Sequence, residues 1–303
     1  MKIILFGKSG MMGSCFCNLL AGEELFAYDR NEVDITDFDA LEDVILGVEP
    51  DIVINCAAYT EVDNAEENKE MAFLVNGEAP GKMAELCAGV GAKFIHFSTD
   101  YVFDGKKPGG YNENDRPAPI NVYGESKLLG EKLIMEKMRD YFIIRTSWLF
   151  GKGGKNFVDT MLELAGKRSE LEVVGGQIGS PTYVEDLCRA VADFVVTPRQ
   201  ARCDKNVMID QPVMVSPSNH DRLLERKLDF RSAKIYHLTN SGACSRYEFA
   251  LKIFELKKLN VKVKKISSVQ SAKPAKRPEY SILINNKLPK LRPWQEALKD
   301  YLD

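Results

Sequence analysis

Histidine is scarce in this chain. Its three histidines, His96, His220 and His237, have no carboxylate or cysteine set at metal-ligand spacing, and no metal site is expected. Cysteines stand at 15, 17, 56, 87, 188, 203 and 244, an odd number with no C-x-x-C, which argues against both a disulfide framework and a zinc site. Reduced thiols in a cytoplasmic protein are the simplest reading. No apolar run approaches the roughly 20 residues of a membrane helix. The chain opens on the apolar segment Ile3–Phe6, without a charged leader and cleavage site. Excess positive charge is lacking too: 41 Lys and Arg against 44 Asp and Glu give a net charge of −3, so no pull toward nucleic acid is expected. A phosphate-bearing substrate would therefore need basic groups placed locally. Internal repeats and low-complexity tracts are absent.

What is present is an ordinary globular composition, 45% hydrophobic and 28% charged, in 303 residues, enough to bury a real core. Short apolar runs alternate with helical patterns through the first half. Strands are predicted at Lys2–Phe6, Leu25–Asp29, Asp51–Cys56, Lys93–Ser98 and Phe142–Thr146. Between them, helices are predicted at Met11–Ala21, Phe38–Leu46 (capped by Asp34, Thr36 or Asp37), Glu66–Val90 with a break at Pro80, and Ser126–Arg139. This alternation implies an α/β fold, a Rossmann-type doubly wound parallel sheet whose ligands lie beyond the C-terminal strand ends. The second half is less regular. Helices are expected at Asn156–Lys167, Tyr183–Val196 and Arg246–Leu256, and a strand at Ile235–Thr239. Residues 197–234, interrupted by Pro198, Pro212 and Pro217, read as an insertion. The basic stretch Lys262–Arg277 reads as a solvated strand and loop. The expected division is a dinucleotide-binding domain over 1–150, to which part of 183–240 can return, and a smaller C-terminal substrate-binding domain over 151–303.

Gly7-Lys8-Ser9-Gly10-Met11-Met12-Gly13 follows the first strand and opens the first helix, in the spacing G-x-x-G-x-x-G. Gly7 and Gly10 allow the turn and close backbone approach, and Gly13 lets helix pack on strand. A pyrophosphate can then rest on the helix N-terminus, where free N–H groups and the dipole favour negative charge. A tight turn without ligand is the bland alternative. Lys8 could add to phosphate binding. Asp29 ends the second strand, 22 residues after Gly7, where a carboxylate suits an adenosine ribose and NAD. The neighbouring Arg30 could pair with a 2′-phosphate and favours NADP, so NADH and NADPH both stand. Ala57 and Ala58, before Tyr59, are small enough for a cofactor to lie against the backbone, or simply pack the core.

Tyr123 and Lys127 stand four residues apart in Tyr-Gly-Glu-Ser-Lys, on one face if helical. A free phenol titrates near about 10, and a nearby lysine cation would lower that value, giving a tunable proton donor. Alone, the pair is as readily a surface contact. Ser98-Thr99-Asp100 ends a strand on the ligand edge, with Thr99 24 residues before Tyr123. A hydroxyl there can polarise a substrate carbonyl. Spacing does not choose between Ser98 and Thr99, and either could be a strand-end cap. Trp148 offers an apolar face for a deoxysugar ring or a core side chain. Asn156 suits either a substrate contact or a helix cap, and Asn76 either a water-linked proton relay or packing. His96 reads as structural.

The glycine turn, the hydroxyl and the Tyr/Lys pair occur in the order and separation found in the extended short-chain dehydrogenase/reductase family, which this chain resembles over nearly its whole length. Ser98–Gly105 and Arg145–Gly151 carry the most specific likeness, joined by Lys2–Gly13, Asp34–Asp37, Asn55–Glu66, Asn121–Lys132, Gln177–Asp186 and Arg292–Leu298. Within the family, the likeness is to the reductases of a dTDP-linked 4-keto-6-deoxy sugar. It implies that Thr99, Tyr123 and Lys127 form the catalytic triad. NADPH or NADH would lie against Gly7, Lys8, Gly10, Met11, Met12, Gly13, Asp29, Arg30, Asp34, Ile35, Ala57, Ala58 and Tyr59, reaching Tyr123 and Lys127. Thr60, Val62, Trp148, Asn156 and Gln177 would contact the nucleotide sugar. It further implies a homodimer, with neither nucleic acid nor membrane as partner. Two features depart from the family: Gly176 replaces an acidic residue before Gln177, and residues 197–234 exceed the usual connection. Rival readings are an epimerase or dehydratase on the same scaffold, although the Asp-Glu pair of dehydratases is absent, and a non-catalytic regulatory subunit like that of methionine adenosyltransferase.

Overall fold

The structure, a computed structural model, describes residues 1–203, 235–267, 270 and 273–303, with side chains 194–203 outside that description. Six parallel strands form the central sheet: β1 (Lys2–Phe6), β2 (Glu24–Tyr28), β3 (Ile52–Asn55), β4 (Lys93–Thr99), β5 (Tyr141–Thr146) and β10 (Ile235–His237). Their order is β10-β5-β4-β3-β1-β2. The winding therefore reverses between β1 and β3, and a crevice opens beyond their C-terminal ends. The near-continuous apolar run of β1 suits a strand covered on both faces. Ile3 and Leu5 bury against α1 (Met11–Leu19) and α8 (Val184–Cys203), while Ile4 and Phe6 face the opposite helix layer. That layer holds α2 (Phe38–Val48), α5 (Ala79–Val90) and α6 (Val122–Lys137).

The remaining elements are α3 (Val62–Ala65), α4 (Lys69–Phe73), β6 (Leu149–Phe150), α7 (Phe157–Ala165), β7 (Glu170–Val174), β8 (Ile178–Gly179), β9 (Thr182–Tyr183), β11 (Cys244–Ser245), α9 (Arg246–Leu256), β12 (Lys262–Ile266) and α10 (Trp294–Leu302). From β6 onward most of them share a second core, built on Phe150, Val158, Leu171, Phe249, Ile253, Trp294 and Leu298. Strand β12 pairs in parallel with β7, and its outward lysines meet glutamates, Lys262 with Glu170 at 3.0 Å and Lys264 with Glu172 at 2.9 Å. The β12 part of the basic stretch Lys262–Arg277 is thus a solvated edge, whereas Arg277 at its end is largely buried and paired with Asp63.

Three boundaries differ from the sequence reading for physical reasons. Helix α6 starts at Val122, four residues before Ser126, because Asn121 caps it by accepting the Gly124 N–H at 2.8 Å. The stretch Glu66–Val90 is not broken at Pro80, which sits in the first turn of α5. Its irregularity lies one turn earlier, in a wide π-type turn over Leu74–Glu78. Proline lacks an N–H and crowds the carbonyl four residues back, and a widened turn accommodates both. The carbonyl in question, Asn76 O, is approached by α6 so closely that a Cβ on Gly130 would lie 2.3 Å from it. Helix α8 runs beyond Val196 to Cys203, so only the start of the expected insertion at 197–234 is described, and it is helical. Residues 204–234 lie outside the described residues.

Candidate active site

A trough of about 550 Å³ runs along the crevice between β1 and β3. Gly7, Gly10, Met11, Met12, Asp29, Arg30, Asp34, Ile35, Ala57, Ala58 and Tyr59 line it, together with Thr60. The backbone at its centre is tight. Gly7 has φ +83, and a Cβ there would lie 2.7 Å from Ala57 N. A Cβ on Gly13 would lie 2.0 Å from Gly7 O, so Gly13 serves the packing of α1 and does not line the trough. Gly10 caps α1 without a side-chain oxygen, leaving the first-turn N–H groups open to a ligand. This cradle fits a dinucleotide pyrophosphate. Lys8 is turned away from the trough, its ammonium 2.6 Å from Glu32. Arg30 is mostly exposed, holds Asp34 at 3.1 Å and lines the trough.

A second cavity, of about 490 Å³, continues from the first and shares Met11, Met12, Ala57, Ala58 and Thr60 with it. Thr99, Tyr123, Lys127, Trp148 and Asn156 all line this cavity, while Val62 and Gln177 line neither. Thr99 closes β4 and Tyr123 occupies the first turn of α6, so a strand end and a helix start meet there. Burial raises the Tyr123 phenol above its ordinary value, a hydrogen bond with Thr99 opposes this, and the charge of Asp100 adds to it. Lysine does not set this balance, contrary to the lowering that the four-residue spacing suggests. Lys127 Nζ instead donates to Phe97 O at 2.6 Å and touches His96 Nε2 at 3.2 Å. Ala57 N–H donates to Asn55 Oδ1, which turns the Asn55 amide N–H toward His96 Nδ1 at 3.3 Å. On that assignment the ring proton sits on Nε2, facing Lys127. Burial pushes Lys127 down to about 8, opposed by the charge of Glu131.

The neighbours of Thr99, Tyr123 and Lys127 separate by role. Ser98 Oγ donates to Glu131 at 2.6 Å, and Glu131 takes Arg145 through two bonds of 2.8 and 2.6 Å. Ser98 is therefore tied into the core, and Thr99 is the hydroxyl beside Tyr123. Asn76 is saturated by both backbone groups of Tyr59 and by Ser126, which makes it a clamp between the trough wall and α6. Asn156 caps α7 by accepting Asp159 N–H at 3.0 Å and donates to Gly151 O at 3.0 Å, so the cap reading describes its side chain.

Trp148 follows β5 with φ +47, a left-handed conformation that costs a bulky residue roughly 1–3 kcal/mol. Its indole is pressed against Gly179, where a Cβ would lie 2.6 Å from Cε2. The Arg246 guanidinium lies 3.6 Å from the ring centroid. That face is therefore covered by a cation and is not open to a sugar ring as the sequence suggests. Arg246 and Asp100 are the charged side chains of this cavity, besides Lys155, that sequence reasoning missed. Asp100 is sealed from solvent, with Thr99 donating to Oδ1 at 3.0 Å and no well-formed bond at Oδ2. Burial pushes it up to about 6, opposed by Ser281, Thr99 and the charge of Arg246. The signal for Asp100 was adjacency to Thr99. For Arg246, far away in sequence, there was none.

A dinucleotide trough that leads to a Thr/Tyr/Lys set on a doubly wound sheet defines a nicotinamide-dependent oxidoreductase of the short-chain type. The chain belongs to the family described as RmlD substrate binding domain, which it matches over residues 1–208 and 220–303. It is 38% identical to the spore coat polysaccharide biosynthesis protein SpsK of Bacillus subtilis, over 99% of this chain and 96% of that protein. It is 34% identical to dTDP-4-dehydrorhamnose reductase of Escherichia coli K12, over 100% of this chain and 97% of the relative. Among solved structures, dTDP-4-dehydrorhamnose reductase from Bacillus anthracis in complex with NADP superposes with a TM-score of 0.86 at 36% identity, covering 99% of this chain and 98% of that one.

Proposed function

We propose that this chain uses NAD(P)H to reduce the 4-keto group of dTDP-4-dehydro-L-rhamnose, giving dTDP-L-rhamnose. The observation that carries this reading is the shared cavity of Thr99, Tyr123 and Lys127, open at one end to a glycine-walled trough. A bound nicotinamide supplies the hydride. The trough would hold the cofactor through Gly7, Gly10, Met11 and Met12 at the pyrophosphate and through Asp29, Arg30, Asp34 and Ile35 at the adenosine end. Asp29 and Arg30 both line it, so either NADH or NADPH finds a partner there. Lys127 would hold the nicotinamide ribose.

Thr99 would turn its one hydroxyl proton from Asp100 Oδ1 to the substrate carbonyl oxygen, and Tyr123 would give that oxygen its proton as negative charge develops. The raised affinity of Tyr123 for its proton suits this direction, because a reductase needs the phenol protonated at neutral pH. Thr60 and Trp148 bound the substrate end. Residues 1–150 with α8 and β10 form the nucleotide half in this reading, and the rest forms the substrate half. A homodimer working in the cytoplasm is part of the same proposal: the described cysteines are all free thiols, and no helix among the described residues is long and apolar enough to cross a membrane. The test is NAD(P)H oxidation on addition of dTDP-4-keto-6-deoxy-L-mannose, with dTDP-L-rhamnose identified as product. Conversion without net cofactor consumption would point to an epimerase.

A further inference from the structure

Arg246 opens α9, and its side chain stands apart from the other buried or half-buried arginines. Arg145 grips Glu131, Arg277 grips Asp63 and Arg292 grips Asp186. The Arg246 guanidinium has no hydrogen bond or ion pair among the described residues. It lies over Trp148 at 3.6 Å and near Phe157 at 5.0 Å, and it lines the cavity of Thr99 and Tyr123. A guanidinium carbon this close to a ring centroid belongs to a flat stack, which leaves the N–H groups around the rim free to donate. Trp148 is itself fixed, since Gly179 presses on it from behind.

A half-buried cation with free donors calls for an anion from solution. Its environment otherwise works against it: burial lowers its proton affinity, and the neighbouring charge of Arg277 acts in the same sense. Asp100 is close enough to offset part of this, yet forms no ion pair with it. A neutral sugar hydroxyl would leave the charge uncompensated. In a nucleotide sugar the diphosphate is the anionic part, and a planar fork matches phosphate oxygens two at a time.

We propose that Arg246 binds the substrate diphosphate, with Trp148 acting as the platform that holds its guanidinium flat against the cavity wall. This rests on the reading that the cavity takes a nucleotide sugar. It changes the part assigned to Trp148, which orients a cation and meets the sugar only by its edge.

The test is calorimetric binding of thymidine diphosphate and of thymidine to the wild type, Arg246→Ala and Arg246→Lys, with NADPH binding as the check on folding. The expected result is a weakening of thymidine diphosphate binding by at least about tenfold in R246A and by less in R246K, with thymidine and NADPH unaffected. In turnover, KM for the keto sugar should rise by more than kcat falls. Unchanged thymidine diphosphate binding in R246A, equal weakening of thymidine, or no diphosphate binding by the wild type would each overturn the assignment. The two claims fail separately. A wild type that binds the diphosphate through Arg246 but turns over no keto sugar sinks the proposed reaction and spares Arg246.

Discussion

Glu131 on α6 and Arg145 on β5 form a two-bond ion pair with side-chain exposures of 0% and 2%. Ser98 on β4 donates to the same carboxylate. The pair therefore ties the helix that carries Tyr123 and Lys127 to the two strands beneath it. Removing one partner leaves the other charge buried, at a cost of about 3–5 kcal/mol. Glu131→Gln is expected to lower the urea midpoint accordingly and to reduce turnover through displacement of α6. A midpoint within error of wild type would show that the pair does not hold the helix.

Gly124, between Tyr123 and the rest of α6, is a packing requirement. A Cβ there would lie 2.1 Å from the carbonyl oxygen of Tyr101, a backbone atom that cannot swing away. Gly124→Ala is expected to destabilise the protein and cut kcat by at least about tenfold, although alanine is the better helix former by roughly 1 kcal/mol. Gly89→Ala, on α5 with open space around its Cβ, serves as the contrast and should gain up to about 1 kcal/mol. Thermal melts of both variants check this.

The legible part of the molecule was the part with short-range rules. The apolar run of β1, the glycine turn after it and the Tyr/Lys spacing of α6 follow from strand periodicity, backbone freedom and helix pitch, and the trough formed where those rules put it. The α6 boundary was misplaced because Asn121 caps the helix through a single side-chain bond that no periodicity reveals. The long stretch before β4 was misread at Pro80 because a wide turn can absorb a proline, and whether it does depends on packing against Gly130. The direction of Lys127 and the partnering of Trp148 with Arg246 were hidden for a different reason. Both depend on contacts between residues distant in the chain, and one of those partners, Arg246, sits in the less regular second half.

Burial places Lys127 at about 8, below its ordinary value near 10.5. Its cation is then present below pH 8 and lost as pH rises through that value. If the ammonium helps to hold the cofactor, kcat/KM for NAD(P)H should fall on an alkaline limb centred near pH 8. Tyr123, raised above its ordinary value, stays protonated through the same range and adds no limb of its own. Lys127→Arg should move or abolish the limb. A flat profile from pH 7 to 9.5 in the wild type would remove lysine ionisation from the account.

Asp100 is raised from an unfolded value of about 4 to about 6 by burial. Between those values the folded state binds more protons than the unfolded one, so this group lowers stability as pH rises through the window from 4 to 6. The loss is on the order of 3 kcal/mol. His96 and His237, buried and held neutral, act oppositely as pH falls below their ordinary range, so the informative quantity is a difference. Relative to wild type, Asp100→Asn should gain stability between pH 4 and 6.5 and hold a constant advantage above. Denaturant titrations at half-unit intervals measure it, and parallel curves would show that Asp100 does not titrate in that window.

The phenol of Tyr123 is the proposed proton source, and Tyr123→Phe removes that proton while leaving the ring in its edge contact with Tyr101, at 5.7 Å between centroids. The most direct measurement is single-turnover NADPH oxidation by Y123F in the presence of dTDP-4-keto-6-deoxy-L-mannose, with cofactor binding followed in parallel. Loss of about 10²–10⁴-fold in the rate, the usual range for a positioned acid, with the NADPH dissociation constant unchanged, is the predicted result. Oxidation at the wild-type rate would contradict the account.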